Sequence, residues 1–306
     1  MTKLDSISIC YELWKKENQN VLNPLTFRRY AHLMERHLLP YFENISIQNI
    51  TEDDVEQFLS EKRKENMSPV TLNMLLMLFK RLLQIAGADI IKLGLEHKVR
   101  IHTDKKTVEV MEEQEQYFLE EILTVSEEPK YLGISLAFKM GLSIGEICAL
   151  QWEDIDFEEG TVQIKNMVQR LQNKSENGKK TLLVKMPLSN SALRKIPVPK
   201  SVMQKLILNR EVEGYVLKCK EGKIPDPRRE QIRLEKFFQR QQMREYNFHT
   251  LRDTFAVRCL KAGMSIENLS YVLGHASVSI TAERYKVFME PRENQITILR
   301  KIMEGV

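Results

Sequence analysis

Residues 247–288 read NFHTLRDTFAVRCLKAGMSIENLSYVLGHASVSITAERYKVF. On a helix, His249 and Arg252 stand three residues apart and share a face. Leu273-Gly274-His275 has the form of a helix end, with Gly274 as the residue that caps it. Tyr285 follows His275 by ten residues, beyond Ser277-Val278-Ser279-Ile280-Thr281. Taken singly, each residue has a bland reading. A lone histidine is usually a hydrogen-bonded core residue, and a tyrosine on a C-terminal helix usually packs. The joint spacing, His-x-x-Arg, then Gly-His, then Tyr, brings a guanidinium, two imidazoles and a phenol into one pattern that accident does not readily produce.

The surrounding chain bounds what that pattern can serve. Its 306 residues correspond to about two domains at roughly 150 residues each. With 42% hydrophobic and 29% charged residues the composition is that of a globular protein, which excludes wholesale disorder, collagen and a coiled-coil rod. No stretch approaches the ~18 consecutive apolar residues of a membrane span. The opening segment, MTKLDSISICYELWKKENQN, lacks the apolar core and small-residue cleavage site of a secretory signal. Cys10, Cys148, Cys219 and Cys259 are scattered, with no Cys-x-x-Cys pair. Neither a disulfide framework nor a metal site is expected, and a cytoplasmic setting fits. The formal net charge is only +4, yet residues 181–260 hold 17 Lys and Arg against 8 Asp and Glu. A basic block in a near-neutral chain is the footprint of a polyanion partner; on charge alone, a solvated charged face stays equally open.

Residues 1 to about 100 read almost wholly as helix. Leu4–Lys16 has near-helical apolar spacing. Asn23-Pro24 and Ser68-Pro69 each place a capping side chain before a proline at the first helical position. Thr51-Glu52-Asp53-Asp54 puts acids in a first turn, at the positive end of the helix dipole. Helices are therefore expected from Pro24 to about Leu38, from Thr51 to about Lys64, and onward from Ser68. The last carries Leu72, Leu75, Leu76, Phe79, Leu82 and Leu83 on one stripe, read as core. Residues 96–108 are polar, basic and aperiodic and read as a linker. Helices follow over 112–125 and 130–140. Strands are expected at Thr161–Ile164, Thr181–Val184 and Lys195–Pro199, forming one small antiparallel sheet, with Asn173–Lys180 as a polar loop. Residues 201–306 return to helix.

HTLRDTFAVRC (249–259) and YVLGHASVSITAERY (271–285) together resemble the C-terminal signature of the tyrosine recombinases, the phage integrase family, and the integrases of conjugative transposons in particular. GLSIGEICALQWEDIDF (141–157) is similar to the family's first box at its Gly, Glu, Leu, Trp and Asp positions. PLSNSALRKIPVP (187–199) resembles the strand-turn-strand segment that holds the family's lysine.

The resemblance implies a mainly α (α+β) fold. A helical, SAM-like core-binding domain would span 1–100, a linker 101–108, and a catalytic domain with a small antiparallel sheet 109–306. It implies site-specific DNA recombination or integration by a mobile element. Tyr285 would be the nucleophile, giving a 3′-phosphotyrosyl intermediate and a free 5′-hydroxyl. Arg252 would grip the phosphate in a forked contact. His249 and His275 would donate to the phosphate or move protons. Bond energy is kept in the protein–DNA link, so no cofactor, ATP or metal is expected. Double-stranded DNA is the implied partner, held by Lys195, Arg228, Arg229 and Arg233. Bases would be read from helices starting near Pro69 and Arg228. A homo-oligomer is implied, a tetramer on two duplexes with no membrane role, in which the tail 287–306 packs into a neighbouring protomer.

Two positions depart from the family. Gly141-Leu142-Ser143 stands where Gly-Leu-Arg is usual, and Leu188 stands at the lysine position. Losing one preorganised transition-state donor costs about 10²–10³ in rate; losing a phosphate-clamping arginine costs on the order of 10³–10⁵. Arg194 and Lys185 are the candidate replacements. Three readings follow: a recombinase slowed by these changes, a non-catalytic DNA-binding relic or regulator of the same family, and a type IB topoisomerase.

Overall fold

Short local signals set the N-terminal helices. The Ser6 hydroxyl accepts from the Ser8 N–H (3.3 Å) at the start of α1 (Ile7–Asn18). Helix α2 (Pro24–Leu33) passes through a π-helical stretch, Met34–Leu38, into α3 (Leu39–Phe42). The helix expected to end near Leu38 thus runs one turn further. Pro40 supplies the reason for its wide middle: a proline inside a helix lacks a donor and crowds the carbonyl four residues back, here that of Arg36. Helix α4 (Glu52–Lys64) begins on a reciprocal cap, in which Thr51 N–H donates to Asp54 (2.8 Å) and Asp54 N–H to the Thr51 hydroxyl (3.3 Å). Ser68 caps α5 (Pro69–Ile85) through Thr71 N–H. The α5 stripe is buried, and Phe79 stacks on Phe42 with ring centroids 4.5 Å apart.

The structure, a computed structural model, describes residues 5–90, 108–126, 128–175, 178–219, 223–289 and 303. The chain divides into two units, Met1–Lys106 and Thr107–Val306. Of the expected linker 96–108 only Val108 is among the described residues. Of the tail 287–306 only residues 287–289 and 303 are.

The second unit is built around an apolar helix. After α6 (Glu113–Val125), helix α7 (Leu132–Met140) is buried at every position except Lys139. A helix apolar all round belongs at the centre of its domain. Helix α8 (Ile144–Ala149) follows at once. The sheet is β1 (Ile155–Asp156), β2 (Thr161–Ile164) and β5 (Arg194–Pro197), all antiparallel, with Val162 opposite Ile196. Strands β3 (Asn166–Ser175) and β4 (Gly178–Pro187) form a separate two-stranded hairpin.

This corrects the sequence expectation of one three-stranded sheet. Thr181–Val184 lies within β4 and pairs with residues 169–172, not with β2 or β5. Most of the polar segment 173–180 lengthens the hairpin strands. The β3 sequence is too polar for period-2 alternation to reveal it; ladder pairing needs backbone groups, not apolar side chains. Helices α9 (Lys200–Leu208), α10 (Pro227–Arg240), α11 (Phe248–Lys261), α12 (Ile266–Leu273) and α13 (Val278–Tyr285) complete the described unit.

Phe42 packs against both Phe58 and Phe79 at the centre of an aromatic cluster. Phe42→Ala is expected to destabilise the first unit by about 3–5 kcal/mol in urea unfolding. A loss under about 1 kcal/mol would show that this cluster is not the unit's core.

Candidate active site

Helix α11 starts at Asn247, whose side chain accepts from Thr250 N–H at 2.9 Å. Its first two turns then present His249, Arg252 and Asp253. The Arg252 guanidinium donates to the carbonyl of Gly141 (2.7 Å) and to that of Leu273 (2.6 Å). Both carbonyls sit where a helix ends, α7 in one case and α12 in the other, so the cation meets the negative ends of two dipoles. Glycines make both ends possible. Gly141 has φ +67°, and a Cβ there would lie 2.3 Å from the Phe255 ring. Gly274 has φ +68°, and a Cβ there would lie 2.6 Å from Arg194 Nη1.

A buried carboxylate joins the first box to this helix. Glu146 Oε1 accepts from Arg194 Nη1 at 2.6 Å, and its Oε2 lies 3.4 Å from Arg252 Nη1. The same Oε2 accepts from both the backbone N–H and the hydroxyl of Ser143, each at 2.8 Å. Burial pushes the Glu146 carboxyl up, but the two guanidiniums and the Ser143 N–H more than reverse this and hold it below its ordinary value. Arg194 also donates to Val272 (2.6 Å) and Ala192 (3.1 Å), while its buried Nη2 has no partner among the described residues.

Asp253 organises the side of the site that holds Tyr285. Its Oδ1 accepts from the Tyr285 hydroxyl (2.7 Å) and from Arg284 Nε (3.0 Å), and its Oδ2 accepts from Arg284 Nη2 (2.5 Å). His249 Nε2 lies 3.6 Å from Oδ2 and contacts Arg284 Nη2. Tyr285 is buried, and burial, then the Asp253 charge and hydrogen bond, raise its pKa against the opposing pull of Arg284. The resting phenol is therefore protonated. His275 Nδ1 bonds the Thr281 hydroxyl at 2.7 Å. Burial, then Arg252, Arg284 and Arg194, push His275 down to about 4. His249 is largely exposed, and it too is lowered, first by partial desolvation where its ring meets Arg284, with Arg284 and Arg252 adding to this and Asp253 opposing. The His275 imidazole is therefore neutral at pH 7, and the lowering of His249 favours its neutral form as well. Among the described residues no three His, Cys, Asp or Glu side chains group as metal ligands, and no helix is long and apolar enough to cross a membrane.

The profile described as the phage integrase family matches residues 108–289, well over half of the chain, and that of the phage integrase N-terminal SAM-like domain matches residues 7–63. The chain belongs to the phage integrase family. It is 27% identical over 187 residues to a tyrosine recombinase XerC-like protein of Caldanaerobacter subterraneus, covering 55% of this chain and 48% of that one. It is 27% identical over 206 residues to the transposase from transposon Tn916 of Enterococcus faecalis, covering 60% and 48%. The chain thus spans about half the length of these relatives. In fold it is similar to the Tn1549 transposon integrase in complex with a circular intermediate DNA (TM-score 0.72, 18% identity, 97% of this chain and 99% of that one). It is also similar to a lambda integrase tetramer bound to a Holliday junction (TM-score 0.62, 14% identity, 93% and 77%).

In this chain Tyr285 and His249 lie against Asp253 and Arg252 lies against Glu146, with His275 held nearby by Thr281. Ser143 and Arg194 share Glu146 with Arg252. Leu188 is half-buried against the core, its N–H donating to Lys165 O at 2.9 Å. Lys185 Nζ donates to the Gln151 side chain, and Lys195, exposed on β5, pairs with Glu159. Arg228 and Arg229 are exposed on α10, and Arg233 is held by Glu230 at 2.7 and 2.8 Å. The sequence reading passed over Glu146, Asp253, Arg284 and Thr281. Ser143-x-x-Glu146 is a capping-box spacing and His249-x-x-x-Asp253 an i,i+4 pair, so two of the four had a local signal. Arg284 had none.

Two outcomes are expected. Below pH ~6.5 an unfolded His275 takes up a proton that the folded ring refuses until about 4, so the site loses stability as pH falls through that window. Its ring resonance should titrate near pH 4 by NMR; a midpoint at 6.5 contradicts the buried, cation-flanked setting. Glu146→Gln leaves two buried guanidiniums without a counter-charge and is expected to cost about 3–5 kcal/mol, read by denaturant midpoint. An unchanged midpoint would show that the cluster is not held by charge.

Proposed function

We propose that this chain is a tyrosine-type site-specific DNA recombinase serving integration or excision of a mobile element. One observation carries the reading: the Tyr285 phenol, far along the chain from α11, donates to Asp253, the residue next to Arg252 on that helix, and so comes within the electrostatic reach of the Arg252 guanidinium, with His249 3.6 Å from the same carboxylate. A phosphodiester resists attack because it is already negative; this arrangement supplies a nucleophile and donors for the charge that grows on its oxygens. The Tyr285 oxygen bonds phosphorus as the P–O5′ bond breaks, leaving a 3′-phosphotyrosyl link. The phenolic proton passes along its hydrogen bond to Asp253, and the departing 5′ oxygen gains a proton from solvent. Neutral His249 and His275 donate N–H bonds to the phosphate oxygens. Reversal by a new 5′-hydroxyl completes strand transfer with no outside energy.

Double-stranded DNA is the proposed partner, in a homo-oligomer that reaches a tetramer on two duplexes, in the cytoplasm. Residues 1–100 would act as the core-binding domain, 101–108 as linker and 109–306 as catalytic domain. Exposed Arg228 and Arg229, with Lys195 and Arg233, would hold phosphates, and helices α5 and α10 would supply base contacts. Arg194 and Lys185 stay in this reading as supports of the phosphate pocket rather than its open face.

A second reading has its own observation. The Ser143 hydroxyl is committed to Glu146 and Leu188 brings no charge, so a DNA-binding relic of the family would look the same at these two positions. A pool of nicked duplexes with randomised sequence separates the two. The recombinase reading expects a protein–DNA adduct that survives denaturing electrophoresis and vanishes in Tyr285→Phe. Salt-sensitive binding without any adduct supports the relic.

A further inference from the structure

We propose that Arg284 is a catalytic residue of this chain, supplying to the scissile phosphate the guanidinium that position 143 lacks, with Asp253 as the positioning residue that aims it. The inference rests on the recombinase reading above.

Access decides among the cations. The side chain of Arg194 is 1% exposed and that of Arg252 10%, and each turns its bonded nitrogens inward to carbonyls and to Glu146. Ser143 is neutral, and its hydroxyl already serves Glu146. The Arg284 side chain is 33% exposed and lies against His249, itself 63% exposed. Of the three guanidiniums around the nucleophile it offers the widest face to an incoming polyanion.

Geometry places that face at the nucleophile. The Tyr285 hydroxyl and Arg284 Nε bond the same oxygen of Asp253, at 2.7 and 3.0 Å. The phenolic oxygen and the guanidinium are therefore less than about 6 Å apart. A phosphate whose phosphorus lies ~3–3.5 Å from the phenolic oxygen, and whose free oxygen meets a guanidinium at ~2.8 Å, spans that gap. Asp253 binds Arg284 through both carboxylate oxygens, which fixes the plane of the fork. The pair is neutral overall, so Asp253 can stand beside the phosphate without repelling it.

The test uses duplexes with a sulfur in place of the bridging 5′ oxygen at the cut. A thiol leaves without an acid, so the absence of a lysine at Leu188 no longer limits the rate. A sequence captured by the wild-type chain from a randomised pool is resynthesised with either a normal phosphate or an uncharged methylphosphonate at that linkage. On the charged linkage, Arg284→Ala is expected to form adduct on the order of 10²–10³ more slowly than wild type. On the methylphosphonate that ratio should collapse toward one, because there is no charge left to meet. Loss of folded protein lowers both rates alike and cannot move the comparison. If Ala at 284 leaves too little folded chain, Arg284→Lys, which keeps a cation beside Asp253, carries the same comparison with a smaller ratio. Equal ratios on the two linkages overturn the assignment and leave Arg284 as packing. Absence of any wild-type adduct overturns the recombinase reading itself, and the assignment with it.

Discussion

Burying two guanidiniums side by side requires a carboxylate between them, and Glu146 is that carboxylate. It ties α8 to β5 through Arg194 and to α11 through Arg252, while Arg194 and Arg252 reach on to the end of α12. Removing such charges from water is costly, and the cost is offset only where nearly every donor finds a partner. Here the partners are carbonyls at helix C-termini, already negative by the dipole. The second unit thus holds Arg252 by the same contacts that hold four of its elements together.

That arrangement recasts the serine at 143. In α8 it is the N-cap, closing the box with Glu146 that also orients the carboxylate toward the two arginines. An arginine at 143 would forfeit the hydroxyl cap, worth about 1 kcal/mol, and bring a third guanidinium to a carboxylate that already serves two. A hydroxyl cap and a third guanidinium are therefore alternatives at this position. The other carboxylate of the site, Asp253, repeats the logic at the open side, with Arg284, His249 and Tyr285 as its partners.

Much of this was legible in the sequence, for local reasons. The Thr51, Ser68 and Gly274 end signals depend on side chains within a turn of the helix end, so they survive without tertiary information. Joint spacing singled out His249, Arg252, His275 and Tyr285, and the fold brings these side chains near Asp253 and Glu146. The β3–β4 hairpin was not, because a polar strand held by backbone pairing leaves no apolar rhythm to read. Arg284 was hidden for another reason: its meaning comes from Asp253, thirty-one residues away, and no local pattern links them. The cation beside the phenol can be seen only once α13 lies against α11.

The account turns on which atom of the chain takes up DNA. The most direct measurement is mass spectrometry of the peptide that stays joined to DNA after nuclease digestion of a captured complex. The account expects a nucleotide attached through its 3′-phosphate to the oxygen of Tyr285. A nucleotide on Tyr271 or any other side chain, or one joined through a 5′-phosphate, would contradict it.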